Sequence, residues 1–183
     1  TLRGGPRPPA PAGADGHGAD ARTPLTHPMV ISALVFLFFY VGGEVAFGGW
    51  LSTYALQLNL ADLAQAAYLT SAFWLSFTIG RLLSIPMAAR FRPAGIILTG
   101  LGGCLVVLAL LIAVPQAGSV LWGGAIALGF CLAPVYATGF TLAGQSVPLS
   151  ARISGFILLG DSLGGLLLPF LVGPVIERQG PRA

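Results

Sequence analysis

The chain alternates between five long apolar segments and short polar breaks. The apolar segments cover residues 28–56, 64–89, 93–114, 119–145 and 153–176, and the breaks between them have three to seven residues. Each segment exceeds the about 20 residues that an α-helix needs to cross a bilayer, whereas a membrane β-strand needs only about 10. Because a backbone in hydrocarbon must satisfy its own hydrogen bonds, the pattern predicts an all-α membrane protein with five transmembrane helices.

The composition supports this assignment and excludes several other classes. Apolar residues make up 55% of the chain and charged residues only 8%, with a mean hydropathy of +0.85, whereas a soluble domain has about 25% charged residues. No basic patch is interleaved with aromatic residues, so nucleic acid is not an expected partner. Because the sequence also has no nucleophile–base pair, metal-ligand cluster or phosphate-binding loop, we expect no enzyme, no metal site and no cofactor.

The distribution of arginine predicts the orientation in the membrane. Residues 1–27 are rich in Pro, Gly and Ala and are expected to form a disordered linker. Five crossings place the linker, the second break and the fourth break on one side, and these hold six arginines: Arg3, Arg7, Arg22, Arg90, Arg92 and Arg152. The other side has two, so the linker is predicted to be cytoplasmic. The chain begins without Met and ends soon after an apolar segment, and we expect a fragment of a longer protein.

Three ionisable side chains lie inside the predicted spans, namely Glu44, Arg81 and Asp161. Each costs about 2.5–3.5 kcal/mol at the bilayer centre on insertion scales, so such groups pair with each other or line a watery cavity. Helical spacing places Tyr40 and Phe47 on the face of Glu44. A carboxylate between two rings suits a sugar or a cation. The alternatives are an ion pair that joins helices, and rings that pack on a neighbouring helix.

The fourth span carries a stripe of polar side chains. Thr138, Thr141 and Gln145 recur at helical spacing, and Tyr136 lies just before them. Hydroxyl and amide groups beside an aromatic ring provide the hydrogen bonds and the stacking face that a neutral sugar needs. The alternative is that these groups make hydrogen bonds between helices.

Three segments together resemble a known transporter family. They are YVGGEVAFGGWLSTYA (residues 40–55), IGRLLSIPMAARFRP (residues 79–93) and SGFILLGDSLGGLLLP (residues 154–169). The second segment resembles the loop between helices eight and nine of the major facilitator superfamily. The combination resembles the fucose–galactose–glucose symporter branch, and within it the sodium-dependent glucose transporter 1 group. The resemblance covers residues 28–183.

This resemblance implies an architecture and a set of site residues. The five spans would be helices seven to eleven of twelve, residues 28–183 the C-terminal transmembrane half, and residues 1–27 the end of the central cytoplasmic loop. The first six helices and helix twelve would be missing partners of this chain. Helices seven and ten would line a central cavity, and the expected substrate-binding or ion-binding residues are Glu44, Trp50, Tyr136, Thr138 and Thr141. The expected gating or structural charges are Arg81, Arg90, Arg92 and Asp161.

The function implied by the resemblance is secondary active transport by alternating access at the plasma membrane. The expected solute is a hexose such as glucose, and Na⁺ is the candidate coupling ion. Sodium coupling, proton coupling and uncoupled transport all stay open. The alternatives are a carrier for another small neutral solute and a truncated membrane protein that interacts with a partner without transporting anything.

Overall fold

A computed structural model describes residues 24–179. Its five helices are α1 (Pro28–Gln57), α2 (Leu63–Arg90), α3 (Pro93–Ala113), α4 (Gly118–Ser146) and α5 (Ala151–Gln179). Each is long and apolar enough to cross a membrane, and this part of the chain contains no strand. The prediction of an all-α membrane bundle is confirmed, and every predicted boundary lies within three residues of the observed one.

Local polar groups set where α1 and α2 begin. The ring Nδ1 of His27 accepts a hydrogen bond from the backbone N–H of Met29, and Pro28 occupies the first turn of α1, where a missing N–H costs nothing. At α2, Asp62 accepts from the N–H of Gln65 at 2.7 Å, and the Gln65 side chain accepts from the N–H of Asp62 at 3.3 Å. This reciprocal cap satisfies two backbone donors that would otherwise be unpaired at the start of a helix.

The helices are organised around α1 and α4. The most extensive contacts join α1 to α5, α4 to α3, and α4 to α2, whereas α2 and α3 barely touch. One apolar cluster joins α1, α2 and α4 around Phe73, Leu69 and Leu51. A second joins α1 and α5 around Leu37 and Ile157.

Small residues allow the closest helix contacts. A Cβ atom at Gly164 would collide with the backbone of Phe38, and one at Gly160 would lie 2.6 Å from the carbonyl oxygen of Leu34. The two glycines are four residues apart on α5, so they form one strip along which α1 approaches. Small residues four apart are typical of membrane helices that pack closely together.

Part of the predicted topology concerns residues outside this structure. The linker prediction for residues 1–23, and with it Arg3, Arg7 and Arg22, lies outside the described residues. Residues 24–27 form a turn that leads into α1. The orientation of the bundle and the assignment of a cytoplasmic linker therefore stay predictions.

Candidate functional site

Two neighbouring sites contain the intramembrane charges. We call the first the polar cluster and define it as Arg81, Tyr136 and Asp161. These residues come from α2, α4 and α5, so three different helices meet there. We call the second the apolar cavity, and it contains Glu44.

Tyr136 connects the two charges of the polar cluster. The Arg81 guanidinium carbon lies 5.4 Å from the Tyr136 ring centroid and 4.4 Å from that of Phe77. The Tyr136 hydroxyl donates a hydrogen bond to Asp161 Oδ2 at 2.9 Å. Both distances from Arg81 are within the range at which a cation is attracted to an aromatic ring. The cluster thus offers guanidinium donors, a carboxylate acceptor and aromatic faces within one small region.

The polar cluster lies on an accessible face of the bundle. Arg81 is exposed, and Tyr136 and Asp161 are partly exposed. All three residues belong to helices that can span a membrane. A charged side chain exposed at membrane depth is costly against hydrocarbon. This face therefore meets water or another part of a protein rather than lipid tails.

The apolar cavity has a volume of about 860 Å³ and lies beside α1. Its walls come from α1, α3 and α4, with smaller parts from the end of α5 and from Pro115. The lining is overwhelmingly apolar, and six of its residues are aromatic: Phe36, Phe39, Tyr40, Phe47, Trp50 and Tyr54. The volume is in the range of small-molecule sites, which is about 300–1,000 Å³.

Glu44 is the one ionisable carboxylate in the described wall of the apolar cavity. Its side chain is only 6% exposed, and its Oε2 atom is buried without a hydrogen-bond partner. An ionised carboxylate without a partner is very unfavourable in a buried environment. The Tyr40 hydroxyl, one turn away, does not complete the site, because it donates to the backbone oxygen of Leu132 at 2.7 Å.

The surroundings of Glu44 differ in part from the sequence-based picture. Phe47 lines the cavity as expected, but its ring also packs on Phe73, with the centroids 5.4 Å apart. The space beside Gly48 is filled by Trp74 and Phe73, whose ring atoms would lie 2.8 and 2.9 Å from an added Cβ. Gly48 therefore allows α2 to approach α1 and leaves no room for a ligand.

The other predicted binding residues are divided between the two sites. Trp50 lines the apolar cavity, but its Nε1 donates to the Pro169 oxygen at 3.0 Å, which leaves only the ring face for a ligand. The hydroxyls of Thr138 and Thr141 donate back to the carbonyl groups of Pro134 and Ala137 in their own helix. Neither threonine is part of the described cavity wall.

The predicted gating charges are also separated. Arg81 and Asp161 meet at Tyr136, whereas Arg90 and Arg92 are exposed at the junction between α2 and α3.

The sequence predicted Tyr40 only as a neighbour of Glu44. In the structure its ring also lies 6.1 Å from that of Tyr136, so Tyr40 lies between the polar cluster and the apolar cavity.

The comparisons with known proteins agree with each other on the family of this chain. The family model described as Major Facilitator Superfamily matches residues 2–169. The sodium-dependent glucose transporter 1 of Danio rerio is 33% identical over 73% of this chain and 23% of that protein. Its Xenopus laevis namesake is 31% identical over 83% of this chain and 31% of its own length. Protein TsgA of Escherichia coli O1:K1 is 30% identical over 79% of this chain and 36% of that protein.

These relatives are much longer than the chain. It spans about a quarter to a third of the length of the curated relatives that it matches. No solved structure matches it significantly.

Proposed function

Because this chain belongs to the major facilitator superfamily of membrane transporters, we propose that it forms part of a secondary carrier for a hexose. The chain is an integral, multi-pass membrane protein, because residues 24–179 contain five helices that can span a bilayer. In the proposed carrier, alternating access exposes a solute site first to one side of the membrane and then to the other. The remaining helices of that carrier would belong to the longer protein.

The polar cluster is the observation that carries this proposal. Arg81 and Asp161 are accessible at membrane depth, and they are joined through Tyr136 rather than buried in an ion pair. A purely structural pair would be more stable if it were shielded from lipid and closed on itself. An accessible charged face is what an aqueous solute path requires.

The chemistry of the polar cluster suits a hexose. A sugar presents hydroxyl groups that both donate and accept hydrogen bonds, together with C–H faces that pack on aromatic rings. Arg81 supplies donors only, Asp161 supplies acceptors, and Phe77 and Tyr136 supply rings. Two relatives that are named as glucose transporters support the same solute class. A carrier for another small neutral solute is the alternative.

The proposal also covers the coupling ion of the carrier and the membrane in which it lies. The same two relatives are named as sodium-dependent, and we propose sodium as the coupling ion of this carrier. The proposed location is the plasma membrane, with residues 1–27 in the cytoplasm, in agreement with the excess of arginine on that side.

Uptake by the full-length protein in proteoliposomes tests the hexose proposal. Wild-type protein should accumulate labelled D-glucose more rapidly than L-glucose. Arg81→Gln and Asp161→Asn should each lower D-glucose uptake about tenfold or more, because each removes charged hydrogen bonds worth about 1.5–3 kcal/mol. Replacement of external Na⁺ by N-methylglucamine tests the coupling ion in the same vesicles.

Two variants at the end of α5 serve as matched controls. Arg178→Gln and Glu177→Gln remove the same charges from exposed positions away from the polar cluster, and they should leave uptake unchanged. Equal uptake of D-glucose and L-glucose would contradict the hexose proposal. Full D-glucose uptake in both cluster variants would contradict the role of the polar cluster.

A further inference from the structure

We propose that Glu44 is a proton-binding site, and that its carboxyl group holds a proton in this conformation of the bundle. The inference goes beyond hexose transport, because it assigns a bound proton to a residue outside the polar cluster. It is also separate from sodium coupling, since it makes no use of Na⁺.

The surroundings of Glu44 do not suit a charged carboxylate. Its side chain is 6% exposed, and its Oε2 atom is buried without a hydrogen-bond partner. The Tyr40 hydroxyl, one turn before Glu44 on α1, donates instead to the Leu132 carbonyl at 2.7 Å. A buried charge without a partner is much more unfavourable than a buried neutral group. These surroundings therefore favour the protonated, neutral form of Glu44.

The charges around Glu44 also balance only when it is neutral. Titratable groups come towards it from all five helices, namely Tyr40, Arg81, Cys104, Tyr136 and Asp161. Arg81 is the only cation among them, and its effect on Glu44 is opposed by the negative charge of Asp161. Because these two charges cancel, a second ionised carboxylate would leave a net negative charge at membrane depth, which is costly.

The two intramembrane carboxyl groups differ in how well they tolerate a charge. Asp161 is partly exposed, and its Oδ2 accepts a hydrogen bond from the Tyr136 hydroxyl at 2.9 Å. Contact with water and a hydrogen-bond donor both stabilise an ionised carboxylate. Oε2 of Glu44 has neither, so the proton belongs to Glu44 rather than to Asp161.

A proton fits this position where larger ligands do not. Oε2 has almost no accessible surface, so a ligand with a volume of its own cannot reach it. A hard metal ion needs several oxygen ligands, and among the described residues no group of three or more His, Cys, Asp or Glu side chains could hold one. Helices of the longer protein that cover this side of α1 with apolar residues would bury Glu44 more deeply and favour its neutral form further.

Infrared spectroscopy of the purified full-length protein tests the protonation state directly, because a neutral carboxylic acid has a C=O stretching band that a carboxylate lacks. Wild-type protein at neutral pH should show such a band, and Glu44→Gln should lose one component of it. Glu177→Gln removes an exposed carboxylate at the end of α5 and should keep the whole band. Asp161→Asn should keep it as well, since Asp161 is ionised.

The pH dependence of thermal stability gives an independent test. An unfolded glutamate releases its proton above about pH 4.3, whereas the folded protein keeps the proton on Glu44. The unfolded state therefore binds fewer protons, so this residue makes the folded state less stable as the pH rises. The unfolding midpoint of Glu44→Gln should exceed that of wild-type protein by a margin that widens from about pH 5 to about pH 8, whereas Glu177→Gln should follow wild-type protein throughout.

Three outcomes would overturn the inference. If Glu44→Gln removes only carboxylate bands, Glu44 is ionised and another helix of the longer protein supplies its partner. If Asp161→Asn alone loses the acid band, the proton belongs to Asp161. A midpoint difference between Glu44→Gln and wild-type protein that is independent of pH would mean that folding does not change the protonation of Glu44. Each measurement is made without solute, so none of these outcomes depends on whether the protein carries a hexose.

Discussion

Glu44 and Tyr136 both carry a polar group inside the bundle, but they differ in the partners that this group has. Tyr136 has a partner for its hydroxyl and a cation against its ring. Glu44 has neither a donor for Oε2 nor a charged residue beside it in the cavity wall. The first arrangement stabilises the protein, whereas the second carries an energetic cost.

This contrast predicts the effect of Glu44→Gln on stability without any ligand. Removing an unpaired buried charge should raise the unfolding midpoint of the full-length protein, because the folded state no longer carries the cost of burying that charge. A thermal-shift assay in detergent measures the change. A lower midpoint would mean that Glu44 already has a cationic or donor partner within the protein.

Tyr136→Phe isolates the hydrogen bond to Asp161. The variant keeps the ring that Arg81 contacts and removes only the hydroxyl. Affinity for D-glucose should fall about 3-fold to 10-fold, since a hydrogen bond to a charged group contributes about 1.5–3 kcal/mol and Asp161 can recover part of that from water. Counterflow assays give the affinity, and an unchanged value would separate Tyr136 from the solute path.

At the scale of the helices, α1 and α5 are held together by the glycine strip on α5. A side chain at Gly164 would overlap the Phe38 backbone, whereas a Cβ atom at Gly155 on the same helix would meet nothing within 4 Å. Gly164→Leu should therefore separate α1 from α5 and lower the yield of monodisperse protein sharply, since overpacking alone costs about 1–3 kcal/mol. Size-exclusion chromatography should show normal yield for Gly155→Leu. Equal yields would mean that the two helices do not pack through this strip.

The sequence predicted where the helices begin and end better than it predicted how neighbouring helices are rotated relative to each other. Apolar length and polar breaks are local properties, and they placed all five spans within three residues of the observed helices. The pairing of Tyr136 with Asp161 depends on how α4 and α5 turn towards each other, which no single segment encodes. Gly48 shows the same limit, because its bare side faces Trp74 of α2, and this contact depends on how the two helices are rotated.

For the whole molecule, the proposed transport depends on which face of the bundle meets water. The polar cluster places charges on the α2, α4 and α5 side, whereas α3 exposes large aliphatic residues such as Leu105 and Ile112. The first face is expected to line a solute path and the second to face lipid or other apolar helices. The carrier hypothesis requires the two faces to differ in their access to water.

Cysteine accessibility in the full-length protein is the most direct test of this claim. Thr78→Cys is exposed one turn before Arg81, and Leu105→Cys lies on the aliphatic face of α3, both in a background without Cys104 and Cys131. We predict that a membrane-impermeant thiol reagent modifies Thr78→Cys, that D-glucose slows this reaction, and that Leu105→Cys stays unmodified. An unreactive Thr78→Cys, or a reaction that D-glucose does not affect, would contradict a solute path along the polar cluster.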